Sequence, residues 1–410
     1  MDQDRPDAPP RSPDSTPRHL NPDVLVHALG DLQRGRQTQL LVIAMGAAAV
    51  EPLARLLLGA PDLHPDPRVL AAEALGAIGG PGAVSALSAA VCGSMPSAAL
   101  SPALALSQEA VRNCAARELG RLGDRTATEA LLTGLRRFHL VEAGRALLRF
   151  GEPRAIAPLV ECLGDAFVRE RMADVLRGFA CEAIDALVAG LERRETSDHL
   201  EPPRSVERRA TCARLLGELG DRRAAPVLRR GVSDPAPEVR IAAAIALARV
   251  APDAAVHRRT RVLIEGLADR RSGDECAGAL RVRPGPAVAA LVQTVGAHAR
   301  CNPDCTVVPA ALRAIVRTLA SMGARGVKAL EALTRHPQAL VRGLSLAHLC
   351  RVCGERAASY IDAASRDPDV RVRRTAAACA RQLHRDGAPS GSAALARRLG
   401  ARVRQVLRHA

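Results

Sequence analysis

Between Pro67 and His384 the apolar and polar positions recur in one twelve-residue pattern: an arginine, small residues three and four positions on, aliphatic residues at seven and ten, and a small residue at eleven. The pattern is clearest at Arg112, Ala115, Ala116, Leu119, Leu122, Gly123 and at Arg240, Ala243, Ala244, Leu247, Val250, Ala251. Arg68, Arg169, Arg209, Arg342 and Arg373 open further copies, with Leu75, Leu176, Leu216, Leu349 and Leu383 in the aliphatic slots. These offsets fall on one face of an α-helix, and a glycine just past the last apolar position is a helix stop. Gly79, Gly123 and Gly220 hold that place. Behind the stops a second run of helical spacing follows, at residues 83–91, 127–135, 155–163, 183–191 and 287–295. The predicted unit is therefore a helix, a turn and a second helix.

Such a pair cannot bury its apolar face alone, so copies stack side by side, each touching chiefly its neighbours. The fold class expected is all-α, a solenoid of stacked antiparallel helix pairs over residues 22–391. SDPAPEVRIAAAIALARV (233–250) and RDPDVRVRRTAAACARQL (366–383) show the DP…VR…AA phrasing best. These units resemble HEAT repeats, specifically the short HEAT-like kind of phycobilisome-lyase-type proteins, and the resemblance runs from about Pro22 to His384. In that family paired subunits attach or detach a bilin on an antenna protein. The resemblance thus implies the fold and offers a lyase or lyase-accessory role as an alternative, with no compact motif here to carry it.

Three stretches depart from the frame: 92–107, 192–207 and 296–308. Each joins a second helix to the next first helix, so all three are expected on one edge, a usual place for a binding rim. Residues 1–21, rich in Pro, Asp and Ser, read as a disordered tail, and Pro22–Gly59 as a less regular first pair that caps the stack. Residues 392–410 place Leu395, Leu399, Val403 and Val406 on one stripe, which predicts a basic C-terminal capping helix.

Aromatic residues are 1% of the chain and Trp is absent, which suits close-packed helices better than one large globular core. No apolar run reaches transmembrane length and the start lacks a secretory pattern, so a cytoplasmic location is expected. The formal charge is +15, almost all of it from arginine, with Lys328 the only lysine. The repeat arginines are expected to pair with nearby aspartates such as Asp124, Asp221 or Asp234 along the stack. Residues 366–410 carry a net charge of +8, more than half of the total, and Arg397, Arg398, Arg402, Arg404 and Arg408 are the candidate partner-binding residues there.

Eleven cysteines in an irregular rhythm are expected to be reduced thiols. Cys350, Cys353 and Cys212 fall in small-residue slots of the frame, where a buried thiol behaves as a small apolar group. His298, Cys301 and Cys305 lie in the third insert, taken as outside the helical frame, and are weak metal candidates, with Cys276 as a conceivable fourth ligand. No Walker loop, GxSxG, HExxH or GxGxxG is present. The di-iron HEAT-repeat hydroxylases use His-Glu dipeptides, and none of the eleven histidines here precedes a glutamate. HEAT-like DNA glycosylases grip the DNA backbone, but handling an unstacked base favours aromatic faces that this chain lacks.

The function expected is a non-catalytic, protein-binding scaffold that needs no cofactor. It would use its concave face, lined by the second helices, and its insert-bearing edge. An acidic protein is the favoured partner, because a basic surface speeds association with it. Sequence-independent nucleic-acid binding through surface arginines is the second reading.

Overall fold

The computed structural model describes residues 21–31, 35–59, 66–93, 101–196, 200–301 and 309–386. Most of the tail, residues 1–20, lies outside them, as do Cys305 and the 392–410 segment with Arg397, Arg398, Arg402, Arg404 and Arg408. The chain divides into two compact units, the first running to Gly190 and the second from Leu191.

The first unit opens with α1 (Pro22–His27), α2 (Gly35–Ala44) and α3 (Val50–Leu58). It continues as pairs: α4 (Asp66–Ile78) with α5 (Gly80–Cys92), α6 (Pro102–Leu122) with α7 (Thr128–Phe138), α8 (Val141–Phe150) with α9 (Ile156–Cys162), and α10 (Arg169–Phe179) with α11 (Ile184–Glu192). The second unit pairs α12 (Pro203–Leu219) with α13 (Ala225–Gly231), α14 (Pro237–Val250) with α15 (Val256–Gly266), and α16 (Gly273–Arg281) with α17 (Pro284–Cys301). It then pairs α18 (Ala310–Ala320) with α19 (Gly323–Leu333) and α20 (Ala339–Cys353) with α21 (Ala358–Ala364), and closes on α22 (Val370–Asp386).

Two layers result in each unit. First helices pack on first helices, as α4 on α6 and α12 on α14, and second helices on second helices, as α3 on α5 and α15 on α17. The seven-position leucines Leu75, Leu119, Leu176, Leu216, Leu247 and Leu349 lie between the layers and are fully buried. Burying one such side chain contributes about 1.5–3 kcal/mol. Leu383, in the last helix described, is only half-buried. At α12–α14 the backbones approach closely: a Cβ on Gly217 would stand 2.6 Å from the Cα of Ala246.

The stops form as the spacing predicts. Gly123 and Gly220 are left-handed, at φ 74° and 72°, and donate their N–H to the carbonyls of Leu119 and Leu216, both at 3.2 Å. Gly79 also has positive φ, 72°, but leads directly into α5. The adjoining aspartates correct the sequence reading. Asp124 and Asp221 do not pair with repeat arginines; each turns back on its own backbone, accepting from Thr126 N at 2.9 Å and Arg223 N at 2.8 Å. A short carboxylate just after a glycine stop meets the free N–H groups of the next helix before it can reach another repeat. Gly-Asp therefore ends one helix and starts the next.

Further corrections concern the helix ends. The helix α20 runs through Cys353 and stops at Gly354, φ 54°, one residue later than the frame predicts. Residues 101–107 belong largely to a helix: Ser101 caps α6, accepting from Leu104 N at 3.3 Å, and Pro102 follows as its first residue. Residues 203–207 open α12, and α17 continues through His298 to Cys301, so the third insert begins as helix.

Candidate functional site

The repeat arginines have one recurrent task. Each guanidinium donates to carbonyls where the preceding second helix ends: Arg68 to Leu57, Arg112 to Gly93, Arg169 to Leu163 and Arg209 to Leu191, at 2.8–3.0 Å. A cation there also meets the negative end of the helix dipole. Where the connection is an Asp-Pro turn, the arginine six residues on takes both turn carbonyls. Arg240 donates to Asp234 O and Pro235 O, both at 2.9 Å, and Arg373 to Asp367 O and Pro368 O, both at 2.9 Å.

The predicted ladder exists, but through these turns. Arg209 pairs with the carboxylate of Asp234, and Arg342 binds Asp367 in two parallel bonds of 2.8 and 2.7 Å. One aspartate thus joins the arginine of the preceding repeat through its side chain to the arginine of its own repeat through its carbonyl. His336 occupies the aspartate place before Arg342: its Nδ1 accepts from Gln338 N at 3.1 Å, as Asp234 accepts from Ala236 N at 3.0 Å. Burial and the Arg342 charge hold its pKa below the usual value, which keeps the ring an acceptor.

The second insert folds against α12 as a charge cluster. Glu201 accepts from Arg209 and from the Ser205 hydroxyl at 2.7 Å, and pairs with Arg194 at 3.0 Å. Glu195 pairs with buried Arg208, whose hydrogen bond is the main cause holding that carboxyl below its ordinary range. Both carboxylates are engaged by more than one arginine of the same segment, which points to a structural clamp.

Of the metal candidates, Cys305 and the side chain of Cys301 lie outside the described residues. His298 is half-exposed near the end of α17, and Cys276 is fully buried in α16, its thiol pushed up to about 12 by burial. Among the described residues no group of three possible ligands stands together. Cys212 and Cys350 are buried, as their small-residue slots predict, while Cys353 is half-exposed.

Sequence reasoning missed the surface of first helices in the second unit. In the first unit four arginines of this layer are neutralised: Arg117 bonds Glu73 across α4 and α6 at 3.0 Å, and Arg121, Arg145 and Arg177 each pair with a carboxylate three residues back, whereas exposed Arg149 on α8 has no such partner among the described residues. On α18, α20 and α22 the sequence offers a single carboxylate, Asp386, at the far end of α22. Arg313 and Arg317 on α18, Arg351 on α20, and Arg374 and Arg381 on α22 are exposed, and none has a hydrogen-bond or ion-pair partner among the described residues. The helix α20 packs against both α18 and α22 and presents half-buried Gly343, Leu344 and Ala347. His348, beside them, is held below its usual pKa by burial and then by Arg351 and Arg317, so its ring is neutral at physiological pH. The cue available in the sequence was three successive first helices almost without acid.

The stack is also interrupted here. First helices pack directly at α12–α14, α14–α16, α18–α20 and α20–α22, whereas α16 and α18, the first helices before and after the third insert, do not pack closely. A cleft of about 520 Å³ lies at this break. Asp269, Arg270 and Asp274 line it from the α16 side, and Arg313, Arg317 and His348 from α18 and α20.

Among the described residues no helix is long and apolar enough to cross a membrane. Two family models match the chain: HEAT repeats at residues 195–281 and the PBS lyase HEAT-like repeat at residues 140–165. No curated protein sequence matches it. Among solved structures it is similar to the karyopherin Kap121p bound to the SUMO protease Ulp1p, with 12% identity and a TM-score of 0.46, over 95% of this chain and 49% of that one. It therefore spans about half of that karyopherin. An engineered protein is similar at 19% identity and a TM-score of 0.32, over 89% and 99% of the two chains. Human deoxyhypusine hydroxylase in complex with glycerol is similar at 17% identity and a TM-score of 0.22, over 87% and 100%. The stacked helix pairs, together with the two family models, show that the chain carries HEAT repeats, of the general kind over residues 195–281 and of the PBS lyase HEAT-like kind over residues 140–165.

Proposed function

We propose that this protein is a non-catalytic scaffold that holds an acidic segment of a partner protein along α18, α20 and α22. The observation that carries the reading is the set of exposed, unpartnered arginines Arg313, Arg317, Arg351, Arg374 and Arg381 on three adjoining first helices. An exposed guanidinium without a carboxylate is available for bidentate hydrogen bonds to an incoming one. Width favours a peptide. Helix axes pack about 8–10 Å apart, so α18 to α22 spans roughly 20 Å, which about six extended residues cover at ~3.3 Å each.

The shifted carboxylates of the inter-helix turns support a structural rather than catalytic role. Those of Asp124, Asp221 and Asp369 are held below the usual range by hydrogen bonds within their own turns, where they cap helices. Protein binding, its non-catalytic character and the acidity of the partner are all part of this proposal, which is built on the helical repeat architecture. This places the contact on first helices, in addition to the second-helix face and insert-bearing edge that the sequence suggested.

Titration of the full chain with hexaglutamate and with single-stranded DNA, at several salt concentrations, tests the reading. Binding of the peptide that is lost when Arg313, Arg317, Arg374 and Arg381 are all changed to Gln supports it. DNA binding with a steep salt dependence and no peptide binding would favour the phosphate-backbone alternative.

A further inference from the structure

The break between α16 and α18 differs from the rest of the basic face in carrying both signs of charge. On the α16 side, Asp269 accepts from Ser272 N at 3.0 Å and from its hydroxyl at 2.6 Å. Those bonds keep the Asp269 carboxyl below its ordinary pKa. Asp274, in the first turn of α16, is exposed and has no partner among the described residues. Opposite stand Arg313 and Arg317, also without partners, and the neutral ring of His348. No ion pair joins Asp274 to Arg313 or Arg317, although the cleft is lined by all three. A purely anionic chain entering at α22 would meet favourable charge as far as α18 and then the carboxylates of α16.

We propose that this cleft receives a cationic side chain flanking the acidic run of the partner segment, placed against Asp274 and Asp269, so that the segment binds in one direction. The inference rests on the scaffold reading above and adds polarity to it. The acidic run lies over Arg317, Arg351, Arg374 and Arg381, and the flanking cation crosses the line of Arg313 to the carboxylate wall. Arg270, on the same wall, faces the acidic residue next to the cation. A segment in reverse leaves its cation over α22, among arginines, and an acidic residue against Asp274.

Two peptides of identical composition test this: hexaglutamate with a lysine beyond two glycines at the N-terminal end, and the same with the lysine at the C-terminal end. Equal net charge removes the trivial cost of adding a cation. With the full chain at low salt, fluorescence anisotropy should show one isomer binding about three- to five-fold more tightly than the other, the range of a partly exposed ion pair. Asp274→Asn should abolish the preference while leaving plain hexaglutamate at least as tightly bound, and Arg317→Gln should weaken all of the peptides. Equal binding of the two isomers, or a preference that survives Asp274→Asn, overturns the inference while the scaffold reading stands. Failure of every peptide to bind overturns both, and retention of single-stranded DNA alone moves the face to a nucleic-acid partner.

Discussion

Replacing Arg342 tests the ladder where its parts are best resolved. Its Nε and one terminal nitrogen bind the two oxygens of Asp367, and the other donates to His336 O at 3.0 Å and Pro337 O at 2.7 Å. The paired side chains are only 13% and 10% exposed, so solvent screens the interaction weakly. In Arg342→Gln the Asp367 carboxylate stays largely buried and loses its cation, and two turn carbonyls lose their donor. Breaking a pair of this kind costs about 3–5 kcal/mol, most of it the uncompensated charge. Arg373 provides the internal comparison, since it donates to two turn carbonyls and has no carboxylate partner among the described residues. Arg373→Gln should cost about 1–2 kcal/mol. The Asp367 carboxyl, which burial alone would raise, is held low by its bonds to Arg342, so its contribution is complete above the ordinary carboxylate range and is lost as pH falls through the lower, folded value. Denaturant unfolding at neutral pH and in strong acid reads both effects, with hydrogen exchange at α20–α22 to confirm that the loss is local. Equal costs for the two variants, or an Arg342→Gln penalty unchanged on full protonation, would refute the ladder.

Other perturbations separate the remaining elements. Gly220→Val places a branched residue at φ 72° in open space, so only backbone strain acts, and thermal unfolding should register a loss of about 1–3 kcal/mol. Leu216→Ala empties a fully buried slot and should cost about 2–5 kcal/mol by denaturant titration. His336 is held below its ordinary pKa by burial first and the Arg342 charge second, so stability should decline as pH drops below the usual histidine range; His336→Asp, which keeps the acceptor, should flatten that decline in pH-dependent melting.

The frame of arginine, small residues and leucines was legible because helical periodicity is a local property and the repeats multiply the signal. Gly123 and Gly220 were legible for the same reason, since a left-handed stop is set by its own residue. The roles of Asp124 and Asp221 were not: their composition suits a cap and an ion pair equally, and the turn decides between them. Nor was the exposed arginine face, because neutralisation is a property of neighbouring repeats. Arg117 finds Glu73 44 residues away, whereas Arg313 and Arg317 find no such carboxylate. Attention to net charge drew the sequence reading toward residues 366–410, while the unpartnered set begins at α18. The cleft was hidden too, since an irregular insert does not announce that the helices on either side of it separate.

The scaffold reading stands most directly on whether the arginine face retains a protein. The measurement is affinity purification from native lysate after nuclease treatment, run in parallel with the wild-type chain and with the variant carrying Arg313→Gln, Arg317→Gln, Arg374→Gln and Arg381→Gln. Glutamine keeps helix propensity, and none of these side chains holds a partner among the described residues, so the two proteins should melt alike. The predicted result is one acidic protein recovered by the wild type in the presence of nuclease and lost from the variant. Equal recovery by both proteins, or recovery that disappears with nuclease, would contradict it.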